Sequence, residues 1–254
     1  MIDLEAAVLA VDRGARSICC QGGGVTESVF IDLSHEIRTG MTTLPGIPGP
    51  VISAHLSRES SRAVYAPGTE FEIGRIDMVV NTGTYLDTPW HRYADGADLA
   101  DLPLERVASV PAELFRLTDR SERGISADVF AGRDVSARAV LLHTGWDRRF
   151  GTTAYAEPAP YLTEAAAQYL IDARVRLVGI DSINIDDMQP GAAGRRPAHS
   201  LLLAAGIPII EHLTNLAPVP LSGATFTAAP PRISGLGTFP VRAFATLPSD
   251  VQPR

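Results

Sequence analysis

The sequence predicts an α/β fold, and three observations carry that expectation. Ala139 to His143 and Arg176 to Ile180 are short, mostly apolar runs of the kind buried on both faces of a sheet. Between them, Thr163 has the residue type of an N-cap and opens a predicted helix through about Ala173. A strand, helix, strand order of this length brings its strands together in parallel.

The other elements follow in chain order. Leu4, Ala7, Val8 and Val11 recur at helical spacing over residues 3 to 14, and Gly22 to Gly24 then breaks the chain, so residues 1 to 28 read as a leader helix on a Gly-rich joint. Residues 29 to 254 read as a single domain. Val29 to Leu33 is a predicted strand, and the Pro-Gly-rich stretch from Leu44 to Pro50 a loop. Phe71 to Val80 has strand residue types and would lead straight into the segment from Asn81 to His91, placing Asp87 and His91 on a loop at a sheet edge. A short helix from about Ala198 to Ala205, ended by Gly206, is followed by a strand from Pro208 to Leu213 and a last strand from Val241 to Leu247.

Composition narrows the function classes. The chain has 254 residues, 45% hydrophobic and 20% charged, enough for a substantial core. A net charge of -7 argues against general affinity for nucleic acid. The start lacks a basic leader, and no apolar run is long enough to span a bilayer, so a cytoplasmic protein without a membrane partner is expected. Cys19 and Cys20 are the two cysteines and are adjacent, which rules out a long-loop disulfide within the chain. The basic pairs Arg148-Arg149 and Arg195-Arg196 read as solvated surface; contact of the second with an anionic substrate beside His199 is the alternative.

The chemistry concentrates in two segments. Asn81-Thr-Gly-Thr-Tyr-Leu-Asp-Thr-Pro-Trp-His91 carries a carboxylate and an imidazole four residues apart, which could share a cation or work as a base and its orienting group. An Asp capping a turn and a His resting on Trp90 is the bland alternative. The second segment runs from Pro197 through His199 to Glu211 and Leu216. Together they resemble the cyclase family that includes bacterial kynurenine formamidase and isatin hydrolase, with its H-x-G-T-H-x-D-x-P-x-H motif and a His followed twelve residues later by Glu. The likeness extends to Asp32-Leu-Ser-His35, Val140 to Asp147, Leu177 to Asp181 and Pro240 to Phe244.

The resemblance implies a swivelling β/α/β arrangement, a mixed sheet with flanking helices, and homodimers or tetramers. It also implies that Asp87, His199 and Glu211 ligate metal and that His91 transfers the proton. Asn81 and Tyr85 depart from the motif, standing where the family has the two histidines of a first metal ion. An amide oxygen is a weak ligand and a phenol must first lose a proton, so two ions are not expected. Asp87, His199 and Glu211 could hold one zinc or manganese, with His91 as general acid and base, Tyr85 as donor to a developing oxyanion, and Asn81, Trp90 and Phe71 around a small-molecule substrate.

The expected reaction is hydrolysis of a small amide or lactam C–N bond. A metal-independent hydrolase, dehydratase or cyclase, and an inactive binding homologue, are the alternatives. His35 and His143 read as structural, with a place in the pocket wall as the alternative, and His212 as facing away from Glu211 by strand alternation; Asp181, Asn184, Asp186 and Asp187 read as a turn with capping carboxylates, with cation binding as the alternative.

Overall fold

The computed structural model describes residues 28–248; the leader helix, the Gly-rich joint and the cysteine pair lie outside the described residues. The strands are β1 (Val29–Asp32), β2 (Val51–Leu56), β3 (Ile73–Asp77), β4 (Tyr85–Asp87), β5 (Val110–Arg116), β6 (Gly124–Ile125) and β7 (Ala139–His143). They continue with β8 (Tyr161–Leu162), β9 (Leu177–Ile180), β10 (Ile209–Glu211), β11 (Thr225–Thr227), β12 (Thr238–Pro240) and β13 (Phe244–Leu247). The α-helices are α1 (Arg58–Ser61), α2 (Glu164–Asp172) and α3 (Pro197–Ala204). Among the described residues no helix is long and apolar enough to cross a membrane.

Nine strands form one mixed sheet in the order β1-β13-β11-β5-β7-β9-β10-β4-β12. Its middle, β5, β7, β9 and β10, is parallel, and the strands on either side pair antiparallel. The parallel pairing expected of the strand, helix, strand unit is therefore present. Thr163 caps α2 by accepting from the Ala166 amide, also as expected. At nine residues α2 is too short to persist alone, so its docked face of Ala166, Ala167 and Leu170 holds it.

Side chains alternate between two cores. Val140, Leu142, Val178, Ile180 and Ile209 pack with α2 and α3 on one face. Leu86, Leu141, Leu177 and Ile210 point to the other, where they meet Ile31, Phe226 and Ala245 from the far strands. Strands from distant positions in the sheet sharing one cluster means that the sheet curls around it. β7 and β9 are thus covered by apolar side chains on both faces, which is why they read as continuous runs.

Three expectations change. The predicted strand at residues 71–80 shrinks to β3, which leaves the main sheet and pairs with β2 in a separate exposed hairpin. Arg75 and Asp77 interrupt one face and Gly74 the other, so neither face is buried. Tyr85 and Asp87 belong to β4, an interior strand between β10 and β12, instead of an edge loop. The strand predicted at residues 208–213 stops at Glu211, because His212 has a left-handed backbone with φ of 56°.

Behind β4 the chain closes on itself at Gly237. Its carbonyl accepts from the Thr88 amide at 2.7 Å, and a Cβ there would stand 2.2 Å from the backbone nitrogen of His91. Only glycine permits this approach, which seats the 3₁₀ turn Pro89–His91 against β12. Gly237→Ala is expected to destabilise the fold by about 1–3 kcal/mol, measured by denaturant unfolding, because backbone has to move. Unchanged stability would show that the turn is not held this way.

Candidate active site

The site grows from cross-strand pairs on β4. Tyr85 lies opposite Glu211 of β10, and Asp87 lies opposite Thr238 of β12, so residues two apart on one strand put four polar side chains on one face. Leu86 between them faces the core. The Tyr85 hydroxyl donates to Glu211 Oε2 at 2.7 Å, and the Thr238 hydroxyl donates to Asp87 Oδ1.

Helix α3 follows the crossover from β9 and packs on the same face, bringing His199 over β4 and β10. Asp186 receives the Ala198 and His199 amides at 2.7 and 3.1 Å and holds His199 Nδ1 at 2.7 Å. With Nδ1–H directed at Asp186, Nε2 is left facing inward, 3.7 Å from Asp87 Oδ2 and 3.6 Å from Glu211 Oε1. Three buried carboxylates thus surround one imidazole, and among the described residues no Lys or Arg pairs with any of them. Burial opposes a charge on His199, but Glu211, the Asp186 hydrogen bond and Asp87 prevail and raise its pKa to about 10. Burial raises Glu211 to about 7 against the pull of His199 and the Tyr85 and Ile185 hydrogen bonds.

His91 stands across the cavity, its Nδ1 2.8 Å from Thr238 Oγ1. Because the Thr238 proton goes to Asp87, the neutral imidazole must donate Nδ1–H to the Thr238 oxygen. Its basic lone pair is then on Nε2. Asp87, Thr238 and His91 form a relay that sets the tautomer, and the imidazole remains about a third exposed at 36%.

Tyr85 is deeply buried, and burial with the charges of Glu211 and Asp87 pushes its pKa well above the usual phenol value. It is a neutral donor committed to Glu211, so the role of oxyanion donor expected from sequence has no free proton to use. Asn81 lies near the hydroxyl and opposes that rise. His212, expected to face away, is turned inward by its left-handed backbone: Nε2 is 3.2 Å from the Tyr85 hydroxyl and Nδ1 is 2.7 Å from that of Tyr155. Burial and the nearby His35 lower its pKa to about 3, so it stays neutral.

Trp90 is 39% exposed on the turn beside His91, and Phe71 is 55% exposed on the hairpin against Tyr65. Neither lines the cavity next to His91 and His199. Asn184, read from sequence as part of a turn, does line it and reaches Glu211 at 3.4 Å. His35 stacks on Phe150 and His143 is buried at the end of β7, both outside the cluster.

The family profile described as "Putative cyclase" matches residues 31–187. The chain belongs to this family. A kynurenine formamidase of Geobacillus thermodenitrificans (strain NG80-2) is 33% identical over 186 residues, 72% of this chain and 81% of the relative. A structure titled as a potential metal-dependent hydrolase with cyclase activity is 30% identical, with a TM-score of 0.69, covering 89% of this chain and 100% of that chain. An isatin hydrolase bound to the product analogue thioisatinate is 25% identical, with a TM-score of 0.74, covering 87% and 93%. Both the membership and the α/β architecture expected from the motifs are borne out.

The cluster fits a divalent cation on its own chemistry. Asp87 Oδ2 is buried without a hydrogen-bond partner, and Asp87, His91 and His199 each offer a ligand atom within 4.8 Å of the others. Glu211 lies just outside that group but near His199, as the distances above show.

Thr238→Val should abolish the relay while keeping the side-chain shape. Nitrogen-15 NMR of His91 at mildly alkaline pH is expected to show the Nδ1–H tautomer in the parent and in Thr238→Ser, and a mixture in Thr238→Val. An identical tautomer in all three would show that Thr238 does not set it.

Proposed function

We propose that this protein is a metal-assisted hydrolase of a small amide or lactam, cleaving a C–N bond other than a peptide bond and acting through one domain over residues 29–254. The observation that carries the reading is the inward Nε2 of His199 flanked by the Asp87 and Glu211 carboxylates, with the free Nε2 of His91 across the same cavity. The formamidase and isatin hydrolase relatives support the reaction class.

Asp87, His199 and Glu211 would hold one zinc or manganese. Such an ion supplies polarisation of the carbonyl and acidification of water. His91 Nε2 takes a proton from the attacking water and returns it to the departing nitrogen, so one water is consumed, the C–N bond breaks, and carboxylate and amine result. Asp186 keeps His199 in the ligating tautomer, and Tyr85 holds Glu211 in place. A metal-independent reaction is the second reading, favoured by the high pKa of His199, whose imidazolium already brings a positive charge to the carboxylates.

We further propose that the protein works as a homo-oligomer through the β2–β3 hairpin. An isolated hairpin is marginal in water, yet this one exposes Val51, Ile52, Phe71, Ile73 and Ile76.

Metal analysis of protein purified without chelator should find about one zinc or manganese per chain, lost in Glu211→Gln and retained in His91→Ala, while His91→Ala lowers turnover by ~10²–10⁴. Metal retained by Glu211→Gln but lost from His91→Ala would reverse the two roles, and no metal even after zinc or manganese is added would favour the second reading. Since His199 is protonated below about 10, binding must displace its proton. Apparent affinity should therefore rise roughly tenfold per pH unit, more steeply below about 7 where Glu211 is protonated too. Calorimetry in buffers of different ionisation enthalpy reads the released protons directly.

Light scattering should give a multiple of the chain mass, falling to one chain in an Ile73→Asp, Ile76→Asp double variant. A monomeric parent at micromolar concentration would sink the oligomer.

A further inference from the structure

The cavity of about 620 Å³ beside His91 and His199 is electrically two-ended. Its inner end is closed by His199, which is held against Asp87, Asp186 and Glu211. Its outer end is lined by Arg92, Arg195 and Arg196 against one carboxylate, Glu164. Among the described residues none of the three guanidiniums has a carboxylate within 4.0 Å.

Their contacts are to neutral groups. Arg196 is tied back onto the Arg195 and Asp187 carbonyls and the Met188 sulfur. Arg92 Nε reaches Ser200 Oγ at 3.4 Å, and Arg195 Nε reaches the Ala192 carbonyl at 3.2 Å. The terminal nitrogens of Arg92 and Arg195 have no hydrogen-bond partner among the described residues. Arg92 directly follows His91, and Ser200 directly follows His199, so the free guanidinium of Arg92 is carried beside both imidazoles.

We infer that the substrate of this cavity is an amide that also bears a carboxylate, which Arg92 and Arg195 receive while the amide carbonyl lies at the inner end. The inference rests on the hydrolase reading for the fate of the amide and on the arginines for the charge. A guanidinium fork suits a planar carboxylate, and a like-charged pair with unused donors at a cavity mouth gains most from a bidentate anion. The same charges would disfavour a neutral lactam relative to an acidic amide of equal size.

Two measurements separate this inference from the hydrolase reading. The first compares hydrolysis of 2-formamidobenzoate with that of formanilide. The parent should favour the carboxylate by about tenfold or more in kcat/KM, mainly through KM, and an Arg92→Gln, Arg195→Gln double variant should bring the ratio towards one. Arg148→Gln, outside this cavity, should leave the ratio as in the parent.

The second measures calorimetric binding of 2-aminobenzoate against aniline, which needs no turnover. Tighter binding of the acid, lost in the double variant and kept in Arg92→Lys, would support the inference even if neither formamide were cleaved; that combination would remove the hydrolase reading alone. Equal binding of acid and neutral compound, or a preference unmoved by the double variant, would overturn the inference whatever the activity.

Discussion

The register of β4 between β10 and β12 is the constraint on which the rest depends. Asp87 opposes Thr238 and Tyr85 opposes Glu211, while Leu86 between them fills the core beside Ile210. A slip of one residue would drive Asp87 into that apolar cluster and turn Leu86 into the cavity. Desolvating an ion costs several kcal/mol, so the carboxylates remain only because core packing and their own hydrogen bonds leave β4 no other pairing. Hydrophobic burial on one face thus fixes the position of charge on the other.

That arrangement also gives physical sense to the departures from the family motif. A phenol where a ligating imidazole is expected cannot share a cation while it keeps its proton, and buried next to two carboxylates it keeps it. Instead it joins a chain running from the Tyr155 hydroxyl through neutral His212 to Glu211. A consistent set of hydrogens has every donor in that chain pointing towards Glu211. Asp186 does for His199 what Tyr85 does for Glu211, and Thr238 for His91. Each group facing the cavity is thus oriented by a buried partner, and Tyr85 belongs to that supporting layer.

Much of the framework was legible in the residues. β7, the capped helix α2, β9 and α3 with its Gly206 stop all stand within a residue or two of their expected bounds, because they combine local signals with burial on both faces. Strands whose partners are remote were not. β4 has three residues and no periodicity to read, and β3 has the composition of a sheet strand but pairs only within the hairpin. Residue type alone points Phe71 to the substrate, but the hairpin carries it elsewhere. Nothing in the sequence marks Thr238 or Asp186 as a site residue, since a lone Thr between Gly237 and Phe239, and one Asp in an acidic run, resemble many turn residues.

By itself the sequence determined the family, the α/β class, and the identities of Asp87, His91, His199 and Glu211 as the residues to watch, because ordered motifs and ligand chemistry are written in residue type and spacing. Only the tertiary structure decided which groups hold them. The inward turn of His212, the Thr238 relay, the Asp186 cap and the arginines at the cavity mouth arise from strand register, one left-handed residue and a helix crossover. Those are set by long-range packing, and residues more than a hundred positions apart acquire a shared environment only when the sheet closes.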